Sequence, residues 1–127
     1  MGNEEGGSLA MPILVKKVER ILYVKFGEIL SRDELTDFES LEFQIKNFSG
    51  KGQVFVFDFT LVKKVDEKLF HLFIRCQLHA RSFENSRVVI IKPAVNIKAQ
   101  LMQKGAIRSD EIYDSLYSLK ITNNKNR

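Results

Sequence analysis

The chain has a single cysteine, Cys76, in 127 residues. One thiol cannot close an internal disulfide, and no metal cage can be assembled around a solitary sulfur, so a reducing compartment is the natural setting. Long apolar runs are equally scarce. The longest, such as Val54 to Phe57 and Val88 to Ile91, fall far short of the roughly 20 residues that a membrane helix needs. The N-terminus also lacks a signal-peptide core. A cytoplasmic protein with no direct membrane insertion is therefore expected. Met1-Gly2 opens a myristoylation pattern, but Gly6 stands where that pattern requires Ser or Thr.

Charge of one sign is not in large excess. Twenty Lys and Arg against sixteen Asp and Glu leave a net charge of +4, spread along the chain with no basic block of the nucleic-acid-binding kind. No glycine-rich phosphate loop of either common form is present, since the glycines sit in the N-terminal stretch or at element ends. Tryptophan is absent, whereas phenylalanine occurs ten times. That suits a packed core better than a base-stacking platform, which needs aromatics on an exposed basic face. No nucleic-acid partner is expected.

What is present is ordinary for one soluble domain: 44% hydrophobic and 28% charged residues. At this length folding buries about two-thirds of the surface that the unfolded chain exposes, enough for one core. Residues 1–10 hold three of the seven glycines and almost nothing that could join a core; they read as a flexible tail, and polar residues 120–127 read as a disordered one. Residues 11–119 form the expected domain.

Within it, strands and helices alternate, so the fold class is α/β. Ile13 to Val18 and Arg20 to Phe26 are joined too tightly for a helix and predict an antiparallel hairpin. Ser31-Arg32-Asp33-Glu34 matches a capping box, after which Leu35, Phe38, Leu41, Ile45 and Phe48 form one apolar stripe at helical spacing, with Phe43 on the other side. The runs Val54 to Phe57 and Val88 to Ile91 are expected to be central parallel strands, covered by helices on one or both faces.

Between those strands, Asp66 to about Glu84 carries Leu69, Phe73, Cys76, Ala80 and Phe83 on one helix face, and His71, Arg75 and His79 on another. This predicts a crossover helix. Pro93 suits the first turn of a third, short helix with Ile97 and Leu101 inward, stopped by Lys104-Gly105. A short strand or turn follows, and Asp114 is placed to cap a last helix carrying Leu116 and Leu119.

No catalytic constellation stands out. His71 and His79 lie eight residues apart, too far to share a metal, and no cysteine nearby completes a site. Cys76 falls on the inward stripe, where a free cysteine acts as a small hydrophobe. Asp58, at a strand end, and Asp66, at the next helix start, would need the fold to bring them together to act as a pair. The plainer reading is that Asp66 caps its helix while Asp58 binds loop amides. No cofactor is implied.

One segment carries a family resemblance. Asp58-Phe59-Thr60-Leu61-Val62-Lys63-Lys64-Val65-Asp66-Glu67-Lys68-Leu69 resembles the central motif of STAS domains (sulfate transporter and anti-sigma factor antagonist), roughly D-L-S-x-V-x-x-I-D-S-S-G-L. Other segments agree in order. Phe26-Gly27-Glu28-Ile29-Leu30 is similar to the family's G-E-L-D, Val88 to Lys92 to its fourth strand, Leu101 to Ile107 to L-x-x-x-G-L, and Tyr113-Asp114-Ser115-Leu116 to Y-D-S-L. The resemblance spans about residues 11 to 119.

It implies a four- or five-stranded mixed sheet, with an antiparallel hairpin and then parallel strands, and about four helices packed on it. It also implies protein binding rather than turnover. In anti-sigma factor antagonists a kinase, itself the anti-sigma factor, phosphorylates the serine directly after the motif aspartate. Here that position is Glu67, and Lys68 takes the place of the second serine. Phosphorylation adds about −1.5 to −2 of charge and three acceptor oxygens, enough to release a partner, whereas Glu carries −1. Two accounts of Glu67 stand side by side: a lost or mimicked switch, or a carboxylate favoured by the helix dipole whatever the function.

The resemblance thus implies a non-enzymatic regulator of transcription or of a stressosome-like complex. Its switch loop would comprise Asp58, Thr60, Lys63, Lys64, Asp66, Glu67 and Lys68. Its partner would be an anti-sigma factor or serine-kinase-like protein, or other STAS proteins, with a homodimer left open. The alternative is a STAS module that binds a nucleotide or anion near Lys63, Lys64 and Lys68, or that serves as cytoplasmic subunit of a transport complex.

Overall fold

Between Val18 and Ile21 the chain reverses through Glu19 and Arg20, and Glu19 takes a left-handed conformation, φ 54°, as tight hairpin turns require. The flanking strands are β1 (Ile13–Val18) and β2 (Ile21–Phe26), antiparallel from Val18↔Ile21 to Ile13↔Phe26. The second strand thus starts at Ile21, since Arg20 is taken up by the turn. The computed structural model describes residues 13–31, 33, 35–48 and 52–115.

Three helices follow: α1 (Leu35–Lys46), α2 (Glu67–Arg81) and α3 (Val95–Gln103). Alternating with them are β3 (Ile29–Leu30), β4 (Val54–Asp58), β5 (Lys64–Val65), β6 (Arg87–Ile91) and β7 (Ile112–Tyr113). The main sheet has five strands in the order β1-β2-β4-β6-β7, parallel from β2 onward. Each crossover advances in the same direction, and right-handed crossovers that do so place their helices on one face. The core agrees. Phe38, Leu41 and Ile45 of α1, Leu69, Phe73, Cys76 and Ala80 of α2, and Ile97 and Leu101 of α3 join one cluster with Leu22, Val24, Phe26, Phe55, Phe57, Val88 and Ile90. The opposite strand face holds a smaller cluster of Val56, Val89 and Ile91.

The phenylalanines pack as expected. Phe26 is fully buried, with Phe59, Phe38, Phe73 and Phe57 at ring-centroid distances of 4.9, 5.9, 6.1 and 6.4 Å. Such pairs add about 0.5–1.5 kcal/mol each beyond the area they bury. Phe43 is 67% exposed, the misfit that its position off the apolar stripe implied.

Several local expectations are corrected. Ser31 accepts from the Asp33 N–H at 3.4 Å, but α1 begins only at Leu35, and Glu34 lies outside the described residues. Leu35 is 47% exposed rather than buried: it is the first helical residue and lines a cavity with Asp33, Lys68 and Leu69. Phe48 lies beyond the last turn of α1, yet it packs edge-on to Phe55 at 5.7 Å.

Pro93 precedes the extended N-cap residue Ala94 and so stays outside α3. That helix ends as predicted: Gly105 has φ 74°, the Gly105 N–H donates to Met102 and the Ala106 N–H to Leu101, the paired bonds of a Schellman stop. Against about four expected helices, the described residues hold three α-helices, with 3-10 structure at Asp33 and at Ser109–Glu111. The helix expected after Asp114 lies, from Leu116 onward, outside the described residues, as do both expected tails.

Candidate functional site

The expected switch loop connects the carboxyl end of β4 to the start of α2. Asp58 ends β4 and is 6% exposed. Its Oδ1 accepts from the Thr60 N–H at 2.9 Å and from the Thr60 hydroxyl, and its Oδ2 accepts from the Tyr23 hydroxyl. Burial, then the Asp58 hydrogen bond and charge, push the Tyr23 hydroxyl well above its ordinary value. That phenol therefore stays protonated and keeps donating. Asp58 is occupied in holding the loop root, the plainer of the two roles foreseen for it.

The loop is bound on both flanks. Phe59 and Val62 plug it into the core at 3% exposure each, and the Phe59 N–H donates to Ile91 at 2.9 Å. On the other side β5 pairs in parallel with β3, Ile29↔Lys64 and Leu30↔Val65. The Lys63 N–H donates to Glu28 and the Asp66 N–H to Leu30, both at 2.8 Å. This second sheet was not foreseen. Two-residue strands carry no periodicity, and the similarity of both segments to STAS motifs was the only signal that could have found them.

Asp66 is the N-cap of α2, extended at φ −62° and ψ 129°, with Oδ1 accepting from the Lys68 N–H at 3.0 Å. A carboxylate there satisfies an otherwise orphaned helix donor and complements the dipole. Asp58 and Asp66 are thus engaged in separate turns, and no acid–base pair is built from them. Glu67 and Lys68 are exposed on the first turn of α2, and Thr60, Lys63 and Lys64 are exposed in the loop. Lys63 pairs with Glu28 at 2.9 Å, both largely exposed, a contact worth little.

This end of the sheet also shows apolar side chains. Ile29, Leu61, Leu35 and Val95 are 57%, 49%, 47% and 85% exposed, and all four follow the carboxyl ends of β2, β4 or β6. Between the starts of α1 and α2 lies a cavity of about 520 Å³ lined by Asp33, Leu35, Lys68 and Leu69. Surfaces that mix exposed aliphatic groups with charge suit protein contacts.

Cys76 is fully buried, and burial, aided by Glu42, pushes its thiol up to about 12, so it holds no thiolate at neutral pH. His71 is exposed, whereas His79 sits 2.8 Å from Glu42, which also accepts from Arg75 at 2.8 Å. Sequence reasoning placed Arg75 and His79 on one helix face but missed their partner Glu42, more than thirty residues away. No group of three potential metal ligands occurs among the described residues. No helix among them is long and apolar enough to cross a membrane.

No family model and no curated protein sequence matches the chain. Among solved structures, the anti-sigma factor antagonist SpoIIAA in its unphosphorylated form matches with a TM-score of 0.65 over 91% of this chain and 97% of that one. The chain has a STAS-like fold, that of an anti-sigma factor antagonist. At 11% identity the likeness lies in the architecture: an antiparallel hairpin, then parallel strands, with helices laid between them. The STAS-like sheet therefore carries the motif loop at the carboxyl ends of its parallel strands, where open α/β sheets commonly present their sites.

Proposed function

We propose that this chain is a non-catalytic regulatory module of the anti-sigma factor antagonist or stressosome kind. In this reading it acts in the cytoplasm and binds a protein partner through the 59–66 loop and the first turn of α2. The observation that carries the reading is the exposed Glu67-Lys68 step. It is held by the Asp66 cap and the β3–β5 pairing, at the end of the sheet where Leu61, Ile29 and Leu35 are exposed. A mixed apolar and charged surface whose backbone is already hydrogen-bonded binds at lower ordering cost. Glu67 occupies the position where the family carries its phosphorylatable serine. It supplies a permanent single charge to an interface that elsewhere is controlled by a phosphate.

The partner class is an anti-sigma factor or serine-kinase-like protein. Affinity purification with the wild-type chain and with Glu67→Lys, run in parallel, tests this. Recovery of a kinase-like or sigma-linked protein by the wild type, and its loss with Glu67→Lys, supports the reading. Equal recovery by both baits, or recovery of transport-complex components instead, counts against it. The alternative is an anion held by the exposed Lys63, Lys64 and Lys68.

A further inference from the structure

The helices α1, α2 and α3 pack on one face of the main sheet, yet the other face is buried as well. Val56, Val89 and Ile91 are 0, 0 and 2% exposed in a single copy of the chain. They form a cluster of their own, bordered by Ile21, Tyr23, Val54 and Tyr113, and no residue of α1, α2 or α3 belongs to it. A sheet face that carries apolar side chains is buried only when a second layer lies over it. The hydrogen bonds from Tyr23 to Asp58 and from Arg87 to Tyr113 join side chains of the sheet itself and supply no such layer.

The burial is intramolecular, so a second copy does not account for it. The cover therefore comes from chain outside the described residues, and two stretches are long enough, 1–12 and 116–127. Where each joins the fold separates them. Residues 1–12 enter at β1, at the opposite edge of the sheet from β7, and hold three glycines and two glutamates. Residues 116–127 follow β7, whose Tyr113 pairs with Ile91 and packs against the buried cluster. Leu116 and Leu119 stand three positions apart, on one face of a helix, and Asp114 is placed to cap it. Twelve helical residues reach about 18 Å, while three strand spacings from β7 to β2 come to about 14 Å.

We infer that residues 116–119 begin an amphipathic helix that closes this second face of the sheet, with Leu116 and Leu119 seated on Val56, Val89 and Ile91. The same segment backs Tyr23, which packs against the cluster and donates to Asp58 at the root of the switch loop. The inference is independent of the partner reading, because a face closed by the chain itself calls for no partner.

Methyl–methyl NOEs in the isotope-labelled full chain test it. Cross-peaks from Leu116 or Leu119 to Val56, Val89 or Ile91 are expected, together with protection of those three residues' methyl groups from a soluble gadolinium chelate. Leu116→Ser combined with Leu119→Ser should abolish both the cross-peaks and the protection. The milder Leu119→Ala should shift the Val56 and Val89 methyl resonances and leave those of Ile97, on the other face, in place. Cross-peaks to the cluster from Leu9 or Met11 instead, cross-peaks arising only between chains in a mixed-label sample, or ready access of the chelate in the native chain would each overturn the assignment.

Discussion

The Asp66 backbone N–H donates to the Leu30 carbonyl at 2.8 Å, so the residue that caps α2 is also tied to the connection between β2 and α1. One residue thereby sets where the helix starts and where that start sits on the molecule. Its carboxylate caps Lys68, and its amide ends the β3–β5 ladder. Position 67 is therefore fixed in space by contacts made on either side of it in sequence and across the sheet.

Asp66→Ala keeps the amide tie and removes the cap. It should cost about 1 kcal/mol of stability, measured by urea unfolding, and should raise hydrogen exchange at the Lys68 amide. Asp66→Asn should recover most of both, because asparagine also caps helices well. A neutral Asp66→Ala would show that the cap contributes nothing to the start of α2.

Phe57→Ala and Leu35→Ala separate core from surface. Phe57 is fully buried within the aromatic cluster, and its truncation should cost about 3–5 kcal/mol. Leu35, 47% exposed, should change stability by no more than about 0.5 kcal/mol while weakening partner binding. If Leu35→Ala unfolds the chain as Phe57→Ala does, the helix stripe extends to residue 35 after all.

Acid should destabilise the fold through two carboxylates. Burial alone would raise Glu42, but His79 and Arg75 outweigh it and hold the carboxyl below its ordinary 4.5. Glu111 is likewise held down, with Arg81 and Arg108 overcoming burial. A carboxylate depressed in the folded state stabilises it above the unfolded value, so the contribution is complete above pH 4.5. It is lost as pH falls through the depressed folded values. Unfolding free energy measured from pH 7 downward should decline below that point, and the decline should be shallower in Glu111→Gln and in Glu42→Gln. Curves parallel to wild type would place the acid sensitivity elsewhere.

Cys76 should resist alkylation in the native chain. Its thiol is buried and raised to about 12, so iodoacetamide at pH 8 should label it only as fast as the chain opens, and completely in urea. Rapid native labelling would mean that α2 exposes this face far more often than its packing implies.

Much of the architecture was legible because it is written in local patterns. A join too short for a helix marked the hairpin, and spacing of 3.6 marked the faces of α1 and α2. The aspartate before Glu67 announced a helix start, and Gly105 announced an end. Each of these depends on residues a few positions apart, so the amino-acid order alone carries it. The order of motifs along the chain was enough to indicate the STAS-like arrangement as well.

The sequence by itself thus determined the hairpin, the two central strands, the three helices between strands, the burial of Cys76 and the phenylalanine core. Tertiary structure decided the rest. Pairing of Ile29-Leu30 with Lys64-Val65, the Tyr23 bond to Asp58 and the exposure of Leu35 all join or separate residues distant in sequence. Their positions follow from the direction in which successive crossovers advance and from the ends at which helices leave the sheet. Those are properties of the packed layers, which no spacing within a single element encodes.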